Sequence, residues 1–141
     1  MNSGEVFDRD YATKDRRWFL PDIPEGMQIF ESDVSPAGAF FKNPDVAVFA
    51  KAKCPSLGLQ RDPSNKYDPN AIKIIGYAKG FFGRRKYELG FLPKEIARRI
   101  VQGGFWGQVQ TRLRALRYGE YKEVRFEILG PKGRLKGYRK A

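Results

Sequence analysis

The sequence predicts a mainly β protein, a small barrel of short strands carrying one helix. Short runs rich in Val, Ile, Phe and Tyr recur along the chain, separated by Pro, Gly, Asn and Asp. Only residues 93–102 place apolar side chains at helical spacing, with Ile96, Ala97, Ile100 and Val101 on one stripe. The last third alternates apolar and polar residues in two stretches joined by a turn. Many short strands with a single helix fit a small barrel, and 141 residues suffice for one domain with its own core.

Taken in order, residues 1–20 are polar and mixed in charge, ending in Asp15-Arg16-Arg17-Trp18-Phe19-Leu20; we expect a loosely ordered N-terminal arm whose aromatic end docks on the body. Pro21, Pro24 and Gly26 forbid a long helix next. Residues 27–30 predict a short strand and 32–38 a turn-rich loop, after which Phe40-Phe41 suit either core or rim. Residues 46–53 alternate in part and predict a strand, broken by Cys54-Pro55-Ser56. Residues 57–60 then lead into two consecutive turn signals, Asp62-Pro63-Ser64-Asn65 and Tyr67-Asp68-Pro69-Asn70, because Pro fixes φ and Asn and Asp bond their own backbone. A strand over 71–77 leads out. The octapeptide Lys79-Gly80-Phe81-Phe82-Gly83-Arg84-Arg85-Lys86 predicts an exposed hairpin tip, and 87–92 a strand running into the helix, with Pro93 in its first turn. Gly103-Gly104 stops that helix. Residues 105–116 predict a long strand, with Val109, Thr111, Leu113 and Ala115 on one face and Gln108, Gln110, Arg112 and Arg114 on the other. A turn at Tyr118-Gly119-Glu120-Tyr121 returns the chain as a strand over 123–129. The remainder contains Lys132, Arg134, Lys136, Arg139 and Lys140 and no acid, and is expected to fray. The expected organisation is an arm over 1–20, a barrel domain over 21–130 and a basic tail over 131–141.

The formal charge of +11 comes from 27 Lys and Arg against 16 Asp and Glu. Such a surface attracts polyanions, with nucleic acid first among them. No apolar run reaches the length of a membrane span and no basic amphipathic helix of useful length appears, so no membrane partner is expected. The N-terminus lacks the basic-then-apolar pattern of a signal peptide, and the single Cys54 allows no internal disulfide; both predict a reducing, intracellular setting. There is no histidine, no cysteine pair for zinc and no phosphate-gripping Gly-x-x-x-x-Gly-Lys-Ser/Thr loop. We therefore expect no catalytic residue, no metal and no cofactor. Asp62, Asp68 and Glu95 are the carboxylates a metal nuclease would use, and turn formation explains both aspartates better.

The run Leu59-Gln60-Arg61-Asp62-Pro63, then Asn65, Tyr67-Asp68 and Asn70-Ala71-Ile72, followed downstream by Leu89-Gly90-Phe91-Leu92, Lys94-Glu95 and Ala97, resembles the HIRAN domain. That family occurs at the N-terminus of helicase-like DNA-repair ATPases and as separate small proteins. The resemblance covers about the middle third of the chain and implies an OB-like barrel. It also implies a pocket that receives the 3′ end of single-stranded DNA, lined at Asn65, Tyr67, Asp68, Phe91 and Lys94. The chemistry of these residues agrees. Tyr67 offers a face for a terminal base, worth ~1–3 kcal/mol. Asp68 can accept from a free 3′-hydroxyl and repel a 3′-phosphate. Asn65 can bond sugar or base edge, Lys94 in a first helical turn favours phosphate, and Phe91 can stack. Read singly, Asn65 and Asp68 are ordinary turn residues and Lys94 a solvated one.

The resemblance also implies a basic-aromatic pair on the first barrel strand. Two segments compete for that strand, 27–32 with Phe30 and 46–53 with Phe49 and Lys51, and neither presents an Arg-Tyr pair. Arg61, Lys51, Arg84, Arg85 and Lys86 are further candidates for backbone phosphate contacts. The hairpin tip at 79–86 is longer than the family's usual connection, so no family role transfers to it. The expected protein is a non-enzymatic module that binds single-stranded DNA with preference for a free 3′-hydroxyl, in DNA repair or replication-fork processing, with a helicase or nuclease acting in trans. Rival readings are a general single-stranded DNA or RNA binder using a face with Arg112, Arg114 and Arg125, the metal nuclease above, and a protein-interaction adaptor.

Overall fold

The structure, a computed structural model, describes residues 5–6, 16–38 and 43–141; Phe40 and Phe41 lie outside them. The described elements are β1 (Glu5–Val6), β2 (Arg16–Phe19), β3 (Met27–Val34), α1 (Pro44–Ala50), β4 (Ser56–Arg61), β5 (Ile72–Gly80), β6 (Gly83–Phe91), α2 (Lys94–Gln102), β7 (Gln110–Arg117), β8 (Glu123–Pro131) and α3 (Leu135–Lys140). The strands form a five-stranded sheet in the order β1-β2-β7-β8-β3 and a three-stranded sheet in the order β4-β5-β6. Every pairing is antiparallel.

The two sheets share one core, in which Phe30, Ile72, Ile74, Leu89, Ile100, Phe126 and Ile128 are buried together. Two seams join them. The Thr111 hydroxyl donates to the Leu57 carbonyl at 2.7 Å, tying β7 to β4. The Ala37 N–H donates to the Phe91 carbonyl at 2.9 Å, tying the end of the β3 segment to β6. The result is the expected mainly β fold, here two antiparallel sheets joined by point contacts rather than by a continuous ladder.

The segment 46–53, expected as a strand, is instead mostly the helix α1. The reason lies just upstream. Asn43 caps the helix, its side-chain oxygen accepting from the Asp45 N–H at 3.0 Å, Pro44 occupies the first helical position, and Asp45 sits in the first turn. Val46, Phe49 and Ala50 then fall on one buried face, a helical spacing that the partial alternation masked. Of the two segments competing for the first barrel strand, the structure gives 27–34 as a strand.

The second correction concerns residues 131–141. They do not fray: α3 folds back and buries Tyr138 completely. Its ring packs against Phe30 at 4.8 Å and edge-on to Phe105 at 5.5 Å, and its hydroxyl donates to a Glu31 carboxylate oxygen at 2.8 Å. Burial, and then that hydrogen bond, raise the Tyr138 hydroxyl above its ordinary value of 10.0. The arm's aromatic end docks as expected, with Arg16–Phe19 pairing along β7 and Phe19 buried.

Smaller differences have local causes. The strand expected from 105 begins only at Gln110, because residues after α2 make a tight turn. There Gly104 adopts φ 79°, and the Gly104 and Phe105 N–H groups bond the Val101 and Ile100 carbonyls at 3.3 and 2.8 Å, a Schellman ending. A register shift between Leu113 and Ala115 then breaks the alternation expected along β7. Pro93 sits just before α2 rather than in its first turn, and makes no side-chain capping bond.

Candidate nucleic-acid interface

β5 is the centre of the three-stranded sheet, and its alternation sorts the sheet's two faces. Ile72, Ile74 and Ala78 enter the core, and Lys73, Tyr77 and Lys79 alternate with them on the other face, where Ile75 is buried beside a register shift. Register extends the outward face in rows: Gln60, Lys73 and Phe91 lie abreast, as do Ser56, Tyr77 and Lys86, and Arg84 faces Lys79.

The connection between β4 and β5 is a turn assembly built by its own side chains. Asn65 Oδ1 accepts from the Tyr67 and Asp68 N–H groups at 2.9 and 3.1 Å, and its amide donates to Asp62 at 3.1 Å. Asp68 Oδ1 accepts from the Asn70 N–H at 2.9 Å. Arg61 donates to the Pro69 carbonyl at 3.0 Å and braces the loop. Asn65 is therefore a loop organiser with one amide hydrogen to spare. What the loop presents outward is the Tyr67 ring, 90% exposed, and the second oxygen of Asp68, which has no partner among the described residues.

The loop and the start of α2 lie at the same end of the sheet. The Leu92 N–H donates to the Ile72 carbonyl at 2.9 Å, and Phe91 pairs opposite Lys73, so the turn into α2 runs beside the residues where the loop rejoins β5. Lys94 is the first residue of α2 and is exposed. The first bond within the helix is Ala97 N–H to Pro93 carbonyl at 3.0 Å, and no side chain caps the terminus. The Lys94, Glu95 and Ile96 N–H groups thus stand ahead of the helical ladder, an electropositive end. Glu95 is held by Arg98 at 2.7 Å, which keeps its carboxyl below the usual range.

Asn65, Tyr67, Asp68, Phe91, Lys94 and Arg61 are thus brought to one end. The other expected phosphate contacts are not. Lys51 caps the far end of α1 and stands over the Tyr118 ring at 5.2 Å. Arg84 and Arg85 lie beside the β5–β6 turn, at the opposite end of β5 from the loop, while Lys86 reaches partway back to Gln60 at 3.2 Å. A cleft of ≈ 960 Å³ also lies at that far end, between the hairpin, residues 20–24 and the start of β7. Lys73, Tyr77 and Lys79 were not singled out from the sequence, although the spacing of two along 73–79 would have placed them on one face.

Charge separates the two sheets. Between 72 and 91 the chain has Lys73, Lys79, Arg84, Arg85 and Lys86 against Glu88 alone. Glu88 pairs with Lys73 at 3.2 Å, leaving the rest without an acidic partner among the described residues. The five-stranded sheet is the reverse. Arg112 pairs with Glu127 at 2.8 Å with both side chains buried, Arg114 lies 3.8 Å from Glu127, and Arg125 pairs with Asp33 at 2.8 Å. The basic face of Arg112, Arg114 and Arg125 is therefore offset in part by acids of its own sheet, Arg112 and Arg114 sharing Glu127. Of the three carboxylates invoked for a nuclease, Asp62 is engaged by Asn65 and Glu95 by Arg98, while Asp68 keeps one oxygen without a partner among the described residues. Among the described residues no group of three or more His, Cys, Asp or Glu could hold a metal ion.

No curated protein matches the chain. A solved structure, the HIRAN domain of human HLTF, aligns at 19% identity over 84% of this chain and 94% of that chain, with a TM-score of 0.40. The HIRAN domain family matches residues 54–102. The segment that holds β4, β5, β6 and α2, with both the loop and the helix start that flank Phe91, is a HIRAN domain match.

Proposed function

We propose that the protein is a non-catalytic module that binds single-stranded DNA, with preference for an end bearing a free 3′-hydroxyl. The observation that carries this reading is the convergence of the Tyr67 loop, Phe91 and the uncapped start of α2 at one end of the sheet whose cations, Lys73 apart, have no acidic partner among the described residues. Tyr67 and Phe91 supply faces for bases. Lys94 and the free N–H groups beside it suit the last internucleotide phosphate. The unpartnered Asp68 oxygen suits the terminal hydroxyl and repels an added phosphate there. The HIRAN match over residues 54–102 supports the same reading. In this role the module directs a helicase or nuclease, acting in trans, to exposed strand ends during repair or fork processing.

The test is fluorescence anisotropy with one oligonucleotide ending in a 3′-hydroxyl or a 3′-phosphate. At ~1–4 kcal/mol for a like-charge contact, the hydroxyl end should bind tighter by about fivefold or more. Asp68→Asn keeps the oxygen that accepts from Asn70 and removes the charge, so the two ends should converge. Equal affinity for both ends in the wild type, unaltered by Asp68→Asn, would refute end recognition.

A further inference from the structure

The β5–β6 hairpin ends in a turn that end recognition does not use. Gly80 pairs with Gly83, and Phe81 and Phe82 form the turn between them. Both phenylalanines keep negative φ while Gly83, at φ 117°, carries the reversal. Phe81 is 92% exposed and Phe82 96%, and their rings meet edge to face at 4.8 Å. One exposed apolar residue needs no explanation, but two adjacent rings on a turn present an unsatisfied apolar surface. Cations surround it: Lys79, Arg84 and Arg85 have no acidic partner among the described residues. Arg84 is set in place, donating to the Ser56 hydroxyl at 3.0 Å and lying 4.8 Å over the Tyr77 ring. Phe81, Lys79, Arg84 and Arg112 also line the ≈ 960 Å³ cleft, together with Ser56, Gln110 and one acid, Asp22.

We propose that the Phe81-Phe82 tip, the cleft below it and the outward face of β5 and β6 form a second nucleotide-binding site, which stacks bases lying several nucleotides from the strand's end. Two aromatic faces among unpaired cations match the alternation of base and phosphate in a single strand. A lipid surface would also take the rings and the cations, but the cleft's Ser56 and Gln110 suit base edges rather than acyl chains. β5 has nine residues, which at about 3.3 Å each separates loop and tip by on the order of 26 Å. Lys73, Tyr77 and Lys86 occupy the outward face in between. This inference rests on the nucleic-acid reading above but not on end recognition.

Oligonucleotides of about 3 and about 12 nucleotides, chosen against site sizes of ≈ 4–16 nucleotides per small barrel, separate the two sites. The double variant Phe81→Ala/Phe82→Ala removes only exposed rings, and an unchanged thermal melt confirms its fold. It should lose about 5- to 150-fold in affinity for the longer strand, the equivalent of one stacked base, and nothing for the shorter. Unchanged affinity for the longer strand overturns the proposal. So does a loss confined to anionic phosphatidylserine vesicles, which would make the tip a lipid-binding element. A loss for the longer strand without discrimination between 3′-hydroxyl and 3′-phosphate upholds the second site and refutes end recognition alone. A wild-type protein that retains neither oligonucleotide at low salt removes both proposals.

Discussion

Tyr67 and Tyr138 show how one residue type serves opposite ends. Tyr67 lies 90% exposed on a loop that its neighbours hold rigid, so its ring is available at little cost in order. Tyr138 is fully buried, and its hydroxyl is satisfied by Glu31. A buried donor that loses its partner costs about 1–3 kcal/mol, which is why the C-terminal residues hold their place. The raised Tyr138 ionisation gives a pH signature. Below the unfolded value of 10.0 the hydroxyl is protonated in both states and its contribution to stability is complete. As pH climbs past 10.0 the unfolded chain releases a proton that the folded chain keeps, and stability falls. Urea melts of wild type and Tyr138→Phe at about pH 8 and about pH 10.5 should therefore show a stability difference that narrows at the higher pH; a difference independent of pH contradicts the assignment.

Among the elements, α1 and the β5–β6 hairpin are the most instructive. The turn signals around Asp62 and Tyr67 were legible because Asn, Asp and Pro act through their own backbone, and the structure shows those bonds one by one. The helix α2 was legible from a stripe of apolar residues and a double glycine. α1 was not, because a seven-residue helix gives less than two turns of periodicity and its apolar residues also alternate in part. Its signal was the Asn43-Pro44-Asp45 start rather than the apolar pattern. Asn43 caps the helix and also donates to the Glu88 carbonyl at 2.7 Å, joining α1 to β6. Asn43→Ala should cost about 1–2 kcal/mol in a urea melt; no loss would show that packing of Val46 and Phe49 alone sets the helix. α3 was hidden for another reason: five cations in the last residues spoke for fraying, while Tyr138 meets Phe30 and Phe105, distant in sequence.

For the whole molecule, net charge misleads until the pairs are placed. The rival reading places a binding face on the arginines of β7 and β8, yet Glu127, Glu123 and Asp33 engage them. Cations without an acidic partner among the described residues lie instead on the smaller sheet, which carries the Phe81-Phe82 turn, and in the C-terminal segment with Lys132, Arg134, Lys136, Arg139 and Lys140. That division was invisible in the composition, because it depends on which strands pair across the barrel. It predicts where a nucleic acid lies, and amide chemical-shift mapping during titration with a short 3′-hydroxyl oligonucleotide tests it most directly. The account predicts the largest shifts at residues 65–70 and 91–96, with the strands β7 and β8 silent; largest shifts at Arg112, Arg114 and Arg125 would contradict it.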